Sequence, residues 1–144
     1  MPSLVTERIE SVKAGIVGAG AFAIAELIII VTKIFVLNLI LEHSPIAATI
    51  YRTWLTQLAI GAISGFLFGV TYRYIIRDDR NSHLNDGAVL AFSLVRGLAL
   101  IEGNSTESEL LPMLFLVVQS IICFAIARLV LDGAIARKLI KPFV

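Results

Sequence analysis

The chain has 144 residues, of which 58% are hydrophobic and 16% charged, and its mean hydropathy is +0.90. A soluble domain is about 45–50% apolar, so the composition argues against a soluble globular class, and a net charge of +1 leaves no bulk electrostatic case for a nucleic-acid partner. The single cysteine, Cys123, excludes an intrachain disulfide and reads as a small buried hydrophobe.

The apolar residues fall in long blocks separated by short polar punctuation. This pattern predicts one domain of the all-α integral membrane class. The expected architecture is an antiparallel bundle of four transmembrane helices, preceded by a short N-terminal interfacial helix. Residues 1–13 place Val5, Ile9 and Val12 at spacings of four and three with charges between, the pattern of a helix lying on a membrane surface. A frayed tail is the plain alternative. The N-terminus does not read as a cleaved signal, because its apolar block is too long and Glu7 and Glu10 precede it.

The first span is expected at about 14–41, and its first half is rich in glycine and alanine. Glu42-His43-Ser44 forms a short connection, and Ser44-Pro45 reads as an N-cap with proline in the first helical position. The second span is expected at about 45–77, with Tyr51 and Trp54 near its start and Tyr72 and Tyr74 near its end, as interfacial aromatic belts. Asp78 to Asp86 is a polar loop. A third span is expected at about 84–101, and Thr106 with Glu109 reads as a capping box before a fourth at about 108–137.

The third block is short and carries Arg96. Arginine at a span centre costs about 2.5–3.5 kcal/mol of insertion free energy, against about 0.3–0.6 gained per Leu, Ile, Val or Phe. The sum is near zero, so a re-entrant segment is the alternative. Loop charge favours a full span. With four spans one side holds Arg8, Lys13, Arg73, Arg77, Arg80, Arg137, Lys138 and Lys141, and the other only Arg52. By the positive-inside rule both termini face the cytoplasm or stroma.

Ionisable residues within spans are functional candidates when a partner is nameable. Glu26 and Arg96 each lie twelve residues from a cytoplasmic helix start, about 18 Å deep, so the two can meet. Lys33 lies further outward, with Glu102 as its expected partner. Arg128 sits one turn from Asp132 and can snorkel. The functional reading of Glu26, Lys33 and Arg96 is an ion or proton relay, or an anion site at Arg96. The plainer reading, favoured because Glu26 is the only core carboxylate, is an ion pair that locks two helices.

Gly61, Gly65 and Gly69 form a GxxxGxxxG ridge that admits a close neighbour. Internal packing, a partner protein, or a flat ligand such as a lipid chain, chlorophyll or carotenoid are the candidate occupants. Arg73, Arg77, Arg80 and His83 form an expected cytoplasmic binding loop. That loop's Asp78, Asp79, His83 and Asp86 have no diagnostic metal spacing, so no metal is expected. Asp132-Gly133-Ala134-Ile135-Ala136-Arg137 matches the opening of the CDP-alcohol phosphotransferase signature, but the two downstream aspartates which that chemistry needs do not follow. No nucleophile–base pair or metal set is visible, so an enzyme is not expected.

The stretch Thr71-Tyr72-Arg73-Tyr74-Ile75-Ile76-Arg77, then His83-Leu84 and Gly87 to Ala99, resembles a family of small thylakoid membrane proteins of cyanobacteria and plastids. The resemblance spans about 30 residues and carries no catalytic motif. It implies a thylakoid location, association with a photosynthetic complex or its assembly, and a binding surface at Arg96 and the loop before it. The expected function is therefore a non-catalytic accessory subunit or assembly factor, with membrane lipids and other integral membrane proteins as partners. The alternative is a small oligomeric transporter or channel using Glu26, Lys33 and Arg96.

Overall fold

A computed structural model describes residues 3–40, 46–76, 81–103 and 110–143. The described residues form four helices: α1 (Leu4–Ile40), α2 (Ile46–Ile75), α3 (Ser82–Gly103) and α4 (Leu110–Ala136). All four are long and apolar enough to cross a bilayer by length and composition. The connection at Glu42 to Pro45, Arg77 to Arg80, and the Thr106–Glu109 capping box lie outside the described residues.

The N-terminal segment is not a separate interfacial helix. It forms the first turns of a continuous 37-residue α1. Nothing between Leu4 and Ala14 breaks a helix, and Ser3 caps the start: its Oγ accepts from the Thr6 N–H at 3.3 Å. The third block is one uninterrupted helix rather than a re-entrant turn. Asn81 caps it, with Oδ1 accepting from the His83 N–H at 3.2 Å, so α3 starts before Leu84. Its 22 residues span about 33 Å at 1.5 Å per residue, enough for the hydrocarbon core.

Helix α4 ends in a Schellman turn. The Leu139 N–H reaches the Ala134 carbonyl at 3.0 Å and the Lys138 N–H the Ile135 carbonyl at 2.9 Å. Lys138 supplies the left-handed residue, φ 58°, where glycine is usual. The reversal folds the tail back against the bundle and buries Ile140.

The helices run antiparallel, with α1 packed on α2 and α4, and α3 on α4. Helices α1 and α3 stand diagonally, and their described backbones do not approach each other. The bundle has a basal end, where α1 and α3 begin and α2 and α4 finish, and a distal end. Each helix contributes one phenylalanine to the middle: Phe22, Phe68, Phe92 and Phe124. Their ring centroids lie 4.7–5.8 Å apart, Phe124 touching the other three. Such edge and tilted contacts add about 0.5–1.5 kcal/mol per pair beyond area burial.

Packing density is uneven along the axis. Among the described residues, none distal of Ile30 on α1, Gly61 on α2, Gly97 on α3 or Gln119 on α4 is buried. The distal third instead exposes Phe35, Leu39, Leu55, Leu98, Leu114 and Phe115.

Candidate functional site

A shared four-residue spacing explains how the core charges gather. Glu26 lies one turn distal of Phe22, Arg96 one turn distal of Phe92, and Ser120 one turn distal of Phe124 on the antiparallel α4. Residues four apart share a helix face, so the face that builds the aromatic cluster also aims these polar groups at one another. Arg96 Nη2 donates to Glu26 Oε1 at 2.9 Å and Oε2 at 2.7 Å. Its Nη1 lies 3.4 Å from Ser120 Oγ, and the guanidinium sits 4.8 Å over the Phe22 ring. Both partners are almost wholly buried, with side-chain exposures of 5% and 1%. The pair bridges the diagonal between α1 and α3, whose backbones are apart. Arg96 Nε is buried without an acceptor among the described residues, at a cost of about 1–3 kcal/mol.

The chemistry open to this pair is narrow. The carboxylate is committed to the guanidinium through both oxygens, and the phenylalanine cluster closes the basal side. A buried pair of this kind contributes little net stability, and fixing helix register is the best-attested use of such pairs. Helix α2 contributes Gly61 opposite it, where an added Cβ would stand 2.7 Å from Glu26 Oε2 and 2.9 Å from Phe22 Cε1. Glycine is needed there so that the carboxylate fits between α1 and α2.

Lys33 does not pair with Glu102. Its amine donates to Gln119 Oε1 at 2.7 Å and lies 5.1 Å over the Phe115 ring. Side chains on a helix lean toward its N-terminus, so Lys33 reaches basally to α4, whereas Glu102 is exposed near the distal end of α3.

The glycine ridge faces α1, so internal packing is what these residues make in this bundle. An added Cβ on Gly65 would meet Phe22 Cβ at 2.6 Å and the Gly18 carbonyl at 2.7 Å, and one on Gly69 would collide with the Ala14 carbonyl. Gly15 and Gly18 provide the matching surface on α1. Backbone meets backbone here, as small-residue helix pairs in membranes require.

Arg73 is not part of an exposed binding loop. It is 1% exposed, on the last turn of α2. Nη2 ion-pairs with Glu7 Oε2 at 2.6 Å, Nη1 donates to Ser11 Oγ at 2.7 Å, and Nε donates to the Lys141 carbonyl at 2.9 Å. The Lys141 N–H in turn donates to Glu10 Oε2 at 3.0 Å. One guanidinium thus ties α2 to the first turns of α1 and to the folded-back tail. Of the other expected loop residues, His83 is exposed in the first turn of α3, while Arg77 and Arg80 lie outside the described residues. Replacing Arg73 with lysine keeps the charge but loses the planar fork, so hydrogen exchange in residues 4–11 and 138–143 should accelerate about tenfold or more, for about 1.5–3 kcal/mol of lost charge-assisted bonding. Unchanged exchange in both segments would show that Arg73 does not join them.

A second basal cluster has no counterpart in the sequence reading beyond the Arg128–Asp132 spacing. Tyr72 Oη donates to Asp132 Oδ1 at 2.7 Å. Arg128 pairs with Asp132 at 3.6 Å and with Asp86 of α3. The residue types were visible in the chain, but their pairing across three helices depends on register. Among the described residues no three His, Cys, Asp or Glu side chains gather as metal ligands. No protein-family model, curated protein or solved structure matches the chain.

Proposed function

We propose that this chain is an integral membrane protein that works without catalysis, as an accessory subunit or assembly factor of a larger membrane complex. The observation that carries the reading is the fate of its polar core. Glu26 and Arg96 neutralise each other beside a packed aromatic cluster, which supports a lock between helices rather than a path. The uneven packing adds to it. Bulky apolar side chains crowd the distal third without burial inside the chain, and in this reading a partner's transmembrane helices cover them in place of acyl chains. Lys33 stands among them beside a neutral amide and a ring, placed to meet a partner's carboxylate.

Basic residues Arg8, Lys13, Arg137, Lys138 and Lys141 gather at the basal end, so that end faces the cytoplasm or stroma in this reading. The resemblance of residues 71–77, 83–84 and 87–99 makes a thylakoid membrane and a photosynthetic complex the first place to look for the partner.

The test is native purification in mild detergent, with mass spectrometry of what accompanies the chain. Stoichiometric co-purification with a larger membrane complex is expected. Phe35→Lys, on the exposed distal surface, should abolish it while the protein still inserts. A chain that purifies alone, or a Phe35→Lys variant that keeps its full complement, would contradict the reading.

A further inference from the structure

Between α3 and α4, near the basal end, lies a groove of about 550 Å³ with two chemical halves. Its mouth carries Asp86, Arg128 and Asp132, and its walls include Leu90, Ala125 and Leu129. Asp86 stands in the second turn of α3 and Asp132 one turn before the end of α4. Leu90, Leu129 and Ala125 follow toward the bundle's middle. The polarity therefore falls along the helix axis in the sense of a bilayer interface, headgroup level first and hydrocarbon level next. Leu90 and Leu129 are exposed, so the apolar half opens sideways.

The mouth is charge-imbalanced. Arg128 pairs with both aspartates, one positive charge against two negative. The Asp86 and Asp132 side chains are 52% and 40% exposed, against 22% for Arg128, so the accessible surface is that of the carboxylates. A carboxylate has about four acceptor sites. Tyr72 and Arg128 occupy part of that capacity on Asp132, and Arg128 part of it on Asp86. Acceptors remain for an incoming cation.

We propose that this groove holds one phospholipid whose headgroup carries a primary ammonium, with the ammonium on Asp86 and Asp132 and an acyl chain along Leu90 and Leu129. The inference rests on the reading that the bundle spans a bilayer. Charge complementarity selects the headgroup, because one guanidinium against two more exposed carboxylates favours a cationic group at the mouth over an anionic one. A primary ammonium brings three N–H donors to carboxylate acceptors. A quaternary ammonium has none and is usually held by aromatic faces, and among the described residues no aromatic side chain lines the groove. The lipid phosphate, next to the ammonium, falls to Arg128, whose guanidinium has more N–H donors than its two aspartate contacts use.

The experiment uses the full chain in detergent micelles, with phosphatidylethanolamine, phosphatidylcholine or phosphatidylglycerol added and lipid retention read by native mass spectrometry. Phosphatidylethanolamine should be retained at about tenfold lower concentration than either of the others, the worth of one charge-assisted hydrogen bond. Asp86→Asn should raise the concentration needed by a similar factor. Leu129→Trp, which fills the apolar wall, should abolish retention without altering unfolding. Equal or better retention of phosphatidylglycerol, equal retention of phosphatidylcholine, or an Asp86→Asn variant that binds as before would each overturn the proposal. A carbonate wash of membranes separates the two readings. A chain that stays in the pellet but shows no headgroup preference loses the lipid site alone, whereas a chain released by the wash loses the bilayer reading as well.

Discussion

Replacing Glu26 with alanine will destabilise the bundle by about 3–5 kcal/mol, the cost of leaving a buried guanidinium without its counter-charge. Arg96 has nowhere else to turn. It is 6% exposed, and among the described residues its Nη1 has a long contact to Ser120 and its Nε has no acceptor. Arg96→Met will cost a similar amount, because it strands Glu26 at 1% exposure beside Phe22 and Gly61. The double variant Glu26→Leu/Arg96→Met removes both charges and should recover most of the loss, since buried ion pairs replaced by apolar residues are often neutral or better. Unfolding by sodium dodecyl sulfate in mixed micelles measures all three. A coupling energy near zero would mean that the residues do not act as a pair.

Gly65→Leu has the second largest expected effect. Overpacking inside a tight interface costs about 1–3 kcal/mol and sometimes more, and here the obstacle is the Gly18 carbonyl and the Phe22 Cβ rather than a flexible side-chain end. Helices α1 and α2 must move apart, and that motion also pulls Glu26 away from Arg96. Gly20→Leu is the control on the opposite face of α1, where an added Cβ meets nothing within 4 Å. It should change stability by less than about 0.5 kcal/mol, as unpacked surface positions do. Equal stability for the two variants, with a membrane partner lost only from Gly65→Leu, would move the ridge from the interior to a partner interface.

Much of this arrangement was legible from spacing alone. The depths of Glu26 and Arg96 follow from rise per residue, and the helices carrying them enter from the same end. The glycine ridge announced a close helix contact through its four-residue repeat, and the small residues of α1 were the matching surface. Other features were not legible, for identifiable reasons. Arg73 sits in a run of tyrosines and basic residues that looks like a solvated loop flank. Its burial depends on the Schellman turn at Lys138 bringing the Lys141 carbonyl back to it, a contact 68 residues away in sequence. Glu7 and Glu10 looked like the wet face of a surface helix for the same reason: their partners, Arg73 and the tail, arrive from distant segments. Lys33 went to Gln119 because side-chain lean, which depth arithmetic ignores, decides which neighbour is in reach. The phenylalanine cluster does have a signal in the sequence, since Phe22 precedes Glu26 and Phe92 precedes Arg96 by the same four residues.

The most direct test of the central claim, that the core charges lock helices and do not line a path, is flux through proteoliposomes. Purified chain reconstituted with a pH-sensitive dye and an imposed ion gradient should give traces indistinguishable from empty liposomes. Flux that scales with protein and that Glu26→Gln stops would contradict it and would make Glu26, Lys33 and Arg96 the route of a transporter.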